Sequence, residues 1–285
     1  MTAWEATLLG LVQGLFMFVP VSSTSHLALT QHWLIGRGAS LPAPESPEMI
    51  LFDLVVHVGT LVSIAVVFRR SLTVFVTRTM QDARTWATGA SGDRLYGRLA
   101  LLGLLSVAVT GAVGLPLRSV FGEVFAHPLA MAVTLTLTGA LLYWTDTVGP
   151  RPRGLRQIGP RIAIVIGLAQ GLALMPGLSR SGLTIAFALF AGVKRRWAAE
   201  YSFILAIPTI AGATALQAID VARAPDVVAI GAVPLAIGFT VAAIVGVLAL
   251  RLVLTLLYRA RFRYFAYYVW ALAAAVTVGA VRGVV

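Results

Sequence analysis

Residues Gly10–Thr24 read GLVQGLFMFVPVSST and residues Gly167–Ser181 read GLAQGLALMPGLSRS, so Gly, Leu, Gln, Gly, Leu and Ser recur in register without a gap. A chain that carries the same unusual segment twice is built from two related halves, here about 1–150 and 151–285 within a single domain. Each copy is an apolar run broken by a proline and followed by a knot of hydroxyls. The second copy adds Arg180 between Ser179 and Ser181.

Hydrophobic residues make up 59% of the chain and charged residues 12%, with a mean hydropathy of +0.89. That leaves too little polar surface to cover a water-soluble globule. A bilayer core of roughly 30 Å needs about 20 apolar residues per helix. Six windows meet that length: Leu51–Phe68, Leu99–Leu117, Pro128–Thr147, Tyr201–Ile219, Val227–Leu250 and Tyr264–Val281. The expected fold is therefore an all-α polytopic membrane protein with six full spans. Cysteine is absent, which excludes disulfides and thiolate metal sites. The N-terminal MTAWEA has no basic n-region, so the first apolar segment is expected to stay in the mature chain.

The formal charge of +11 is distributed on one side. Segments 69–98, 151–161, 194–196 and 259–263 hold six, four, three and three of the 22 Lys and Arg residues, whereas the alternate loops and the tail hold Arg37, Arg118, Arg223 and Arg282. The positive-inside rule places the rich segments in the cytoplasm, with 69–98 read as an ordinary loop. No basic face interleaved with aromatic residues is present, so nucleic acid is not an expected partner. Aromatic residues such as Trp144, Trp197, Tyr264, Tyr267, Tyr268 and Trp270 fall near span ends and read as an interfacial belt.

On this charge map the first copy enters and returns from the outer side and the second from the inner side. Two oppositely oriented re-entrant helical hairpins are the mark of inverted-topology repeats, whose broken helices build a site near the midplane. The hydroxyls Ser22, Ser23, Thr24 and Ser25, and Ser179 and Ser181, stand where N-caps of the returning helices belong. Two helix N-termini facing one another would cradle a phosphate or diphosphate, with Arg180 completing the charge. His26 is placed to act as base, acid or nucleophile, or simply as a hydrogen-bonded helix-start residue. Asp53 and His57, four apart, form a metal pair, an acid–base pair or a structural contact. Glu5, Asp146, Glu200 and Arg251 sit at span edges and are assigned to structure, and His32 and His127 lie at loop margins.

The strings QGLFMFVPVSSTSH (13–26), FDLVVHVGTL (52–61), GLAQGLALMPGLSRSGLTIA (167–186) and EYSFILAIPTIAGA (200–213) together resemble the undecaprenyl-diphosphate phosphatase family of the bacitracin-resistance type. The resemblance spans both halves in order. It implies a multi-pass enzyme of the bacterial plasma membrane that hydrolyses undecaprenyl diphosphate to the monophosphate and inorganic phosphate. Recycling this cell-wall lipid carrier links such an enzyme to peptidoglycan synthesis, cell shape and bacitracin resistance. It further implies catalytic roles for Ser23, His26 and Arg180, and substrate contacts from Gln13, Ser22, Thr24, Gly177, Ser179 and Ser181. A site open to the outer face and a divalent cation, Mg²⁺ or Ca²⁺, are also implied, and a homodimer is compatible.

One position departs from the pattern. Where the family carries a glutamate four residues after Gln13, this chain has Met17, a soft ligand for a hard cation. The acids that could take over are Asp53 first and Glu5 next. Ser25 replaces the usual glycine before His26. Hydrolysis is the leading expectation; the alternative is a family member that binds or translocates the prenyl-phosphate carrier without cleaving it.

Overall fold

A computed structural model describes residues 1–44, 46–89, 91–117, 127–223 and 230–282; Arg118 and Val227 lie outside the described residues. The described residues form eleven α-helices. They are α1 (Ala3–Phe16), α2 (Ser23–Gly36), α3 (Pro47–Val67), α4 (Arg69–Thr88), α5 (Leu95–Gly114) and α6 (Pro128–Thr147), followed by α7 (Pro160–Leu172), α8 (Arg180–Phe190), α9 (Arg195–Arg223), α10 (Ala232–Tyr258) and α11 (Arg263–Val281). Six of them, α3, α5, α6, α9, α10 and α11, are long and apolar enough to cross a membrane. They coincide with the six expected windows, and the chain is a polytopic helical membrane protein.

Helix ends follow local chemistry. Thr2 and Glu5 form a capping box on α1, with Thr2 N–H donating to Glu5 Oε2 at 2.6 Å and Glu5 N–H to Thr2 Oγ1 at 3.3 Å. Proline in the first turn starts α6 and α7. Gly89, in the left-handed region at φ 67°, closes α4. α4 itself corrects the reading of 69–98 as a loop. Its apolar Leu72, Phe75, Val76, Ala83 and Trp86 recur at helical spacing on one side, with Arg70, Arg78 and Arg84 on the other, the pattern of an amphipathic surface helix rather than of an irregular connection. Asp82, on its buried side, accepts from Gly97 N–H at 2.8 Å and ties α4 to α5.

The chain divides into two compact units, Met1–Val67 with Ala206–Leu256 and Phe68–Leu205 with Leu257–Val285. Each unit draws helices from both halves of the sequence. In the first, α1 from the first half lies against α10 from the second. A Cβ at Gly10 would come within 2.7 Å of the Gly238 carbonyl, and one at Gly14 within 2.7 Å of the Ala242 carbonyl. In the second unit the equivalent glycines of α7 lie against α5, where a Cβ at Gly167 would reach 2.7 Å from the Ser106 carbonyl and one at Gly171 would reach 2.8 Å from Val113 Cβ. The repeated Gly-x-x-x-Gly is thus a close helix crossing in each unit, the packing that membrane helices use where lipid provides no hydrophobic drive.

Candidate active site

The two copies of the repeat are two helix–break–helix pairs, α1–α2 and α7–α8. In the first, Pro20 lacks an N–H and disfavours helix at Val19, so α1 cannot continue. The chain turns at Val19–Val21, where the two residues' backbone groups bond at 2.7 Å. Ser22 then takes φ 69° and ψ 90°, a rare conformation for a residue with a side chain. In the second pair the turn passes through Pro176 and Gly177, the latter at φ 85°. Register across the duplication then makes Ser22 equivalent to Ser179, and Ser23 to Arg180. Each of the latter two is the first residue of its returning helix.

Ser179 caps α8, accepting from Gly182 N–H at 3.2 Å, and its Oγ lies 3.4 Å from Ser181 Oγ. Ser22 holds the N-cap position of α2 but makes no side-chain cap bond, which corrects the expectation that its hydroxyl caps. Its left-handed backbone turns the hydroxyl to Ser25 Oγ at 3.1 Å and Thr24 Oγ1 at 3.4 Å instead. Its carbonyl accepts from His26 Nδ1 at 2.7 Å. A carbonyl only accepts, so the neutral ring carries its proton on Nδ1 and its lone pair on Nε2. The imidazole stacks on Phe16 with centroids 3.9 Å apart.

Met17, Gln13 and Ser23 come together at this tip. Gln13 Nε2 donates to Met17 Sδ at 3.5 Å and Ser23 Oγ donates to the same sulfur at 3.8 Å. Gln13 Oε1 is buried without a hydrogen-bond partner. A hard divalent cation calls for carboxylate oxygen, and the donors beside Ser23 are an amide, a thioether and hydroxyls. The candidate replacements serve elsewhere: Glu5 caps the far end of α1. Asp53 accepts from Gln31 Nε2 at 3.2 and 3.5 Å, while His57 Nδ1 donates to the Asp53 backbone carbonyl at 2.6 Å. No group of three or more His, Asp or Glu is assembled among the described residues. The residues at the tip do not fit a carboxylate-held Mg²⁺ or Ca²⁺.

In the second pair, Arg180 Nη2 is buried without a hydrogen-bond partner. Two threonines that sequence reasoning passed over hold this tip to α6. Thr134 Oγ1 donates to the Pro176 carbonyl at 2.7 Å, and Thr138 Oγ1 donates to the Gly177 carbonyl at 2.9 Å while accepting from Ser179 N–H at 3.3 Å. Their i,i+4 spacing on one face of a span was the available signal.

These features define a polytopic membrane protein with a duplicated hairpin whose tips each gather hydroxyls, beside one histidine in the first and one arginine in the second. A family model, bacitracin resistance protein BacA, matches residues 6–275, and the chain belongs to that family. It is 60% identical over 281 residues to the undecaprenyl-diphosphatase of Halorhodospira halophila, covering 98% of both chains. Identity is also 60% to the undecaprenyl-diphosphatase of Alkalilimnicola ehrlichii, over 98% of this chain and 97% of the relative. The undecaprenyl-diphosphatase of Carboxydothermus hydrogenoformans is 33% identical over 98% and 97%.

Proposed function

We propose that this chain hydrolyses undecaprenyl diphosphate to undecaprenyl phosphate and inorganic phosphate. The observation that carries this reading is 60% identity, along 98% of the chain, to relatives named undecaprenyl-diphosphatase. In the reaction a nucleophilic oxygen bonds to the terminal phosphorus, the bond from that phosphorus to the bridging oxygen breaks, and undecaprenyl phosphate leaves.

Ser23 and Arg180 hold the same position in the two copies, and both are assigned to the diphosphate. Arg180 supplies a permanent cation whose buried Nη2 has hydrogen-bonding capacity to spare, suited to the charge spread over the transferred phosphoryl oxygens. His26, with Nδ1–H committed to the Ser22 carbonyl, presents Nε2 as the basic nitrogen. It removes the proton either from water or from Ser23, in the second case by way of a phosphoserine that water then hydrolyses. Gln13, Ser22, Thr24, Gly177, Ser179 and Ser181 are assigned to binding. The Mg²⁺ or Ca²⁺ implied by resemblance enters no step here, because the tip offers it no carboxylate.

The two hairpins are read as re-entrant. Helices of 14, 14, 13 and 11 residues span roughly 16–21 Å at about 1.5 Å per residue, short of a ~30 Å core. The basic segments support a cytoplasmic placement of those loops, and a site toward the outer face is what the family resemblance implies. Met17 favours a second reading, a carrier-binding protein without hydrolysis, but the identity to named diphosphatases weighs against it. Phosphate release from undecaprenyl diphosphate by the purified protein tests the proposal: turnover in the parent and its loss in Arg180→Ala are expected, and a parent that binds the lipid without releasing phosphate overturns it.

A further inference from the structure

Away from both hairpin tips, the second unit contains a cavity of about 410 Å³ lined by Asp146, Val148, Gly149, Pro150, Arg151, Lys194, Arg195 and Ala260. It lies where α6 ends and α9 begins, on the side of the basic loops. Three cations line it against a single acid, and that acid is already engaged. Asp146, with a side chain 1% exposed, accepts from Arg263 N–H at 2.8 Å and lies 3.6 Å from Arg263 Nε. Arg195 Nη2 donates to the Thr145 and Val148 carbonyls at 2.8 and 3.3 Å. Its Nη1 stands 3.9 Å from Asp146 Oδ1, outside hydrogen-bond range.

Donors are left over here. Arg195 Nη1 and Arg151 Nε are buried without a hydrogen-bond partner, and so is the acceptor Asp146 Oδ1. The loop bearing Arg151 is pinned to the start of α9, with Arg153 N–H donating to the Gly192 carbonyl at 3.0 Å and Lys194 N–H to the Arg153 carbonyl at 2.9 Å. Positively charged donors held in fixed walls without acceptors are costly unless an anion meets them. Arginine forks match phosphate oxygens, lysine adds a point charge, and Arg195 on the cavity wall is also the first residue of α9, at the positive end of that helix. The volume falls in the roughly 300–1,000 Å³ range of small-molecule sites.

We propose that this pocket is a second anion site that takes the phosphate of a phosphate-bearing ligand on Arg151, Lys194 and Arg195, with Asp146 Oδ1 accepting from a hydroxyl of the same ligand. Its position at the ends of membrane spans suits a glycerophosphate lipid headgroup, as basic pockets between spans do, and its chemistry equally suits inorganic phosphate.

The test uses the full chain in phosphatidylcholine nanodiscs. Calorimetric titration with inorganic phosphate forms one arm, and native mass spectrometry of phosphatidylglycerol retention forms the other. Arg151→Gln combined with Lys194→Gln is expected to weaken binding tenfold or more. Gly149→Glu does the same by placing a carboxylate at the pocket; a Cβ there meets nothing within 4 Å, so the fold accommodates it. Arg180→Ala leaves this binding intact, which separates the pocket from the hairpins. An effect confined to phosphate identifies a soluble ligand, and one confined to phosphatidylglycerol identifies a lipid. Equal binding of both ligands by parent and both pocket variants, or no binding by the parent, overturns the proposal.

Discussion

Gly177 sits so close to Thr134 that a Cβ on the glycine would overlap the threonine hydroxyl, the same hydroxyl that bonds the neighbouring Pro176 carbonyl. The glycine also has φ 85°. Gly177→Ala therefore meets both backbone strain and a collision. We expect a loss of stability of about 1–3 kcal/mol and a phosphatase rate at least tenfold lower, measured by thermal melting and phosphate release. Gly149→Ala, in open space, is the comparison and melts with the parent.

The paired helix crossings predict matched effects in the two units. Gly10→Val and Gly167→Val each push a side chain into a carbonyl that a bare Cβ would approach to 2.7 Å. Each is expected to destabilise by about 1–3 kcal/mol or more, as overpacking does, seen as a lower melting temperature. Gly36→Val, where a Cβ meets nothing within 4 Å, leaves it nearly unchanged.

His26→Asn separates position from chemistry. The asparagine amide can donate to the Ser22 carbonyl as Nδ1 does at 2.7 Å, but it offers no base. The variant is expected to fold, to retain the lipid, and to release phosphate roughly 10²–10⁴-fold more slowly, as read from single-turnover rates beside a binding measurement.

Met17→Glu places a carboxylate where the sulfur now receives bonds from Gln13 and Ser23. Its oxygens suit Mg²⁺ or Ca²⁺ as the thioether does not. The variant is expected to show phosphate release that rises more steeply with divalent cation than the parent's and falls further with chelator. Identical cation curves for the two proteins count against this view of the tip.

The six spans were legible because a run of about 20 apolar residues has few other uses. The hairpins were legible because they occur twice. α4 was not, since periodicity mixed with arginine reads as a polar connection until the helix shows which residues share a face. Thr134 and Thr138 were also hidden: a threonine in a span bonds its own helix as readily as a neighbour's, and only the tertiary arrangement reveals the Pro176 and Gly177 carbonyls as their acceptors. Asp53 is a divided case. Of the readings its spacing to His57 allowed, the structural contact is present, as His57 Nδ1 donates to the Asp53 carbonyl, but the carboxylate meets Gln31, a partner 22 residues away that no periodicity announces.

α1 closes its glycine face against α10, and α6 packs on α11, with the Trp270 indole N–H donating to the Thr136 carbonyl at 3.1 Å, so both of these contacts form only near the end of synthesis. The glycine face of α1 must wait in the bilayer while most of the chain is still on the ribosome. Neither half, made alone, could complete either unit, so two stretches that read as copies of one another depend on each other to fold.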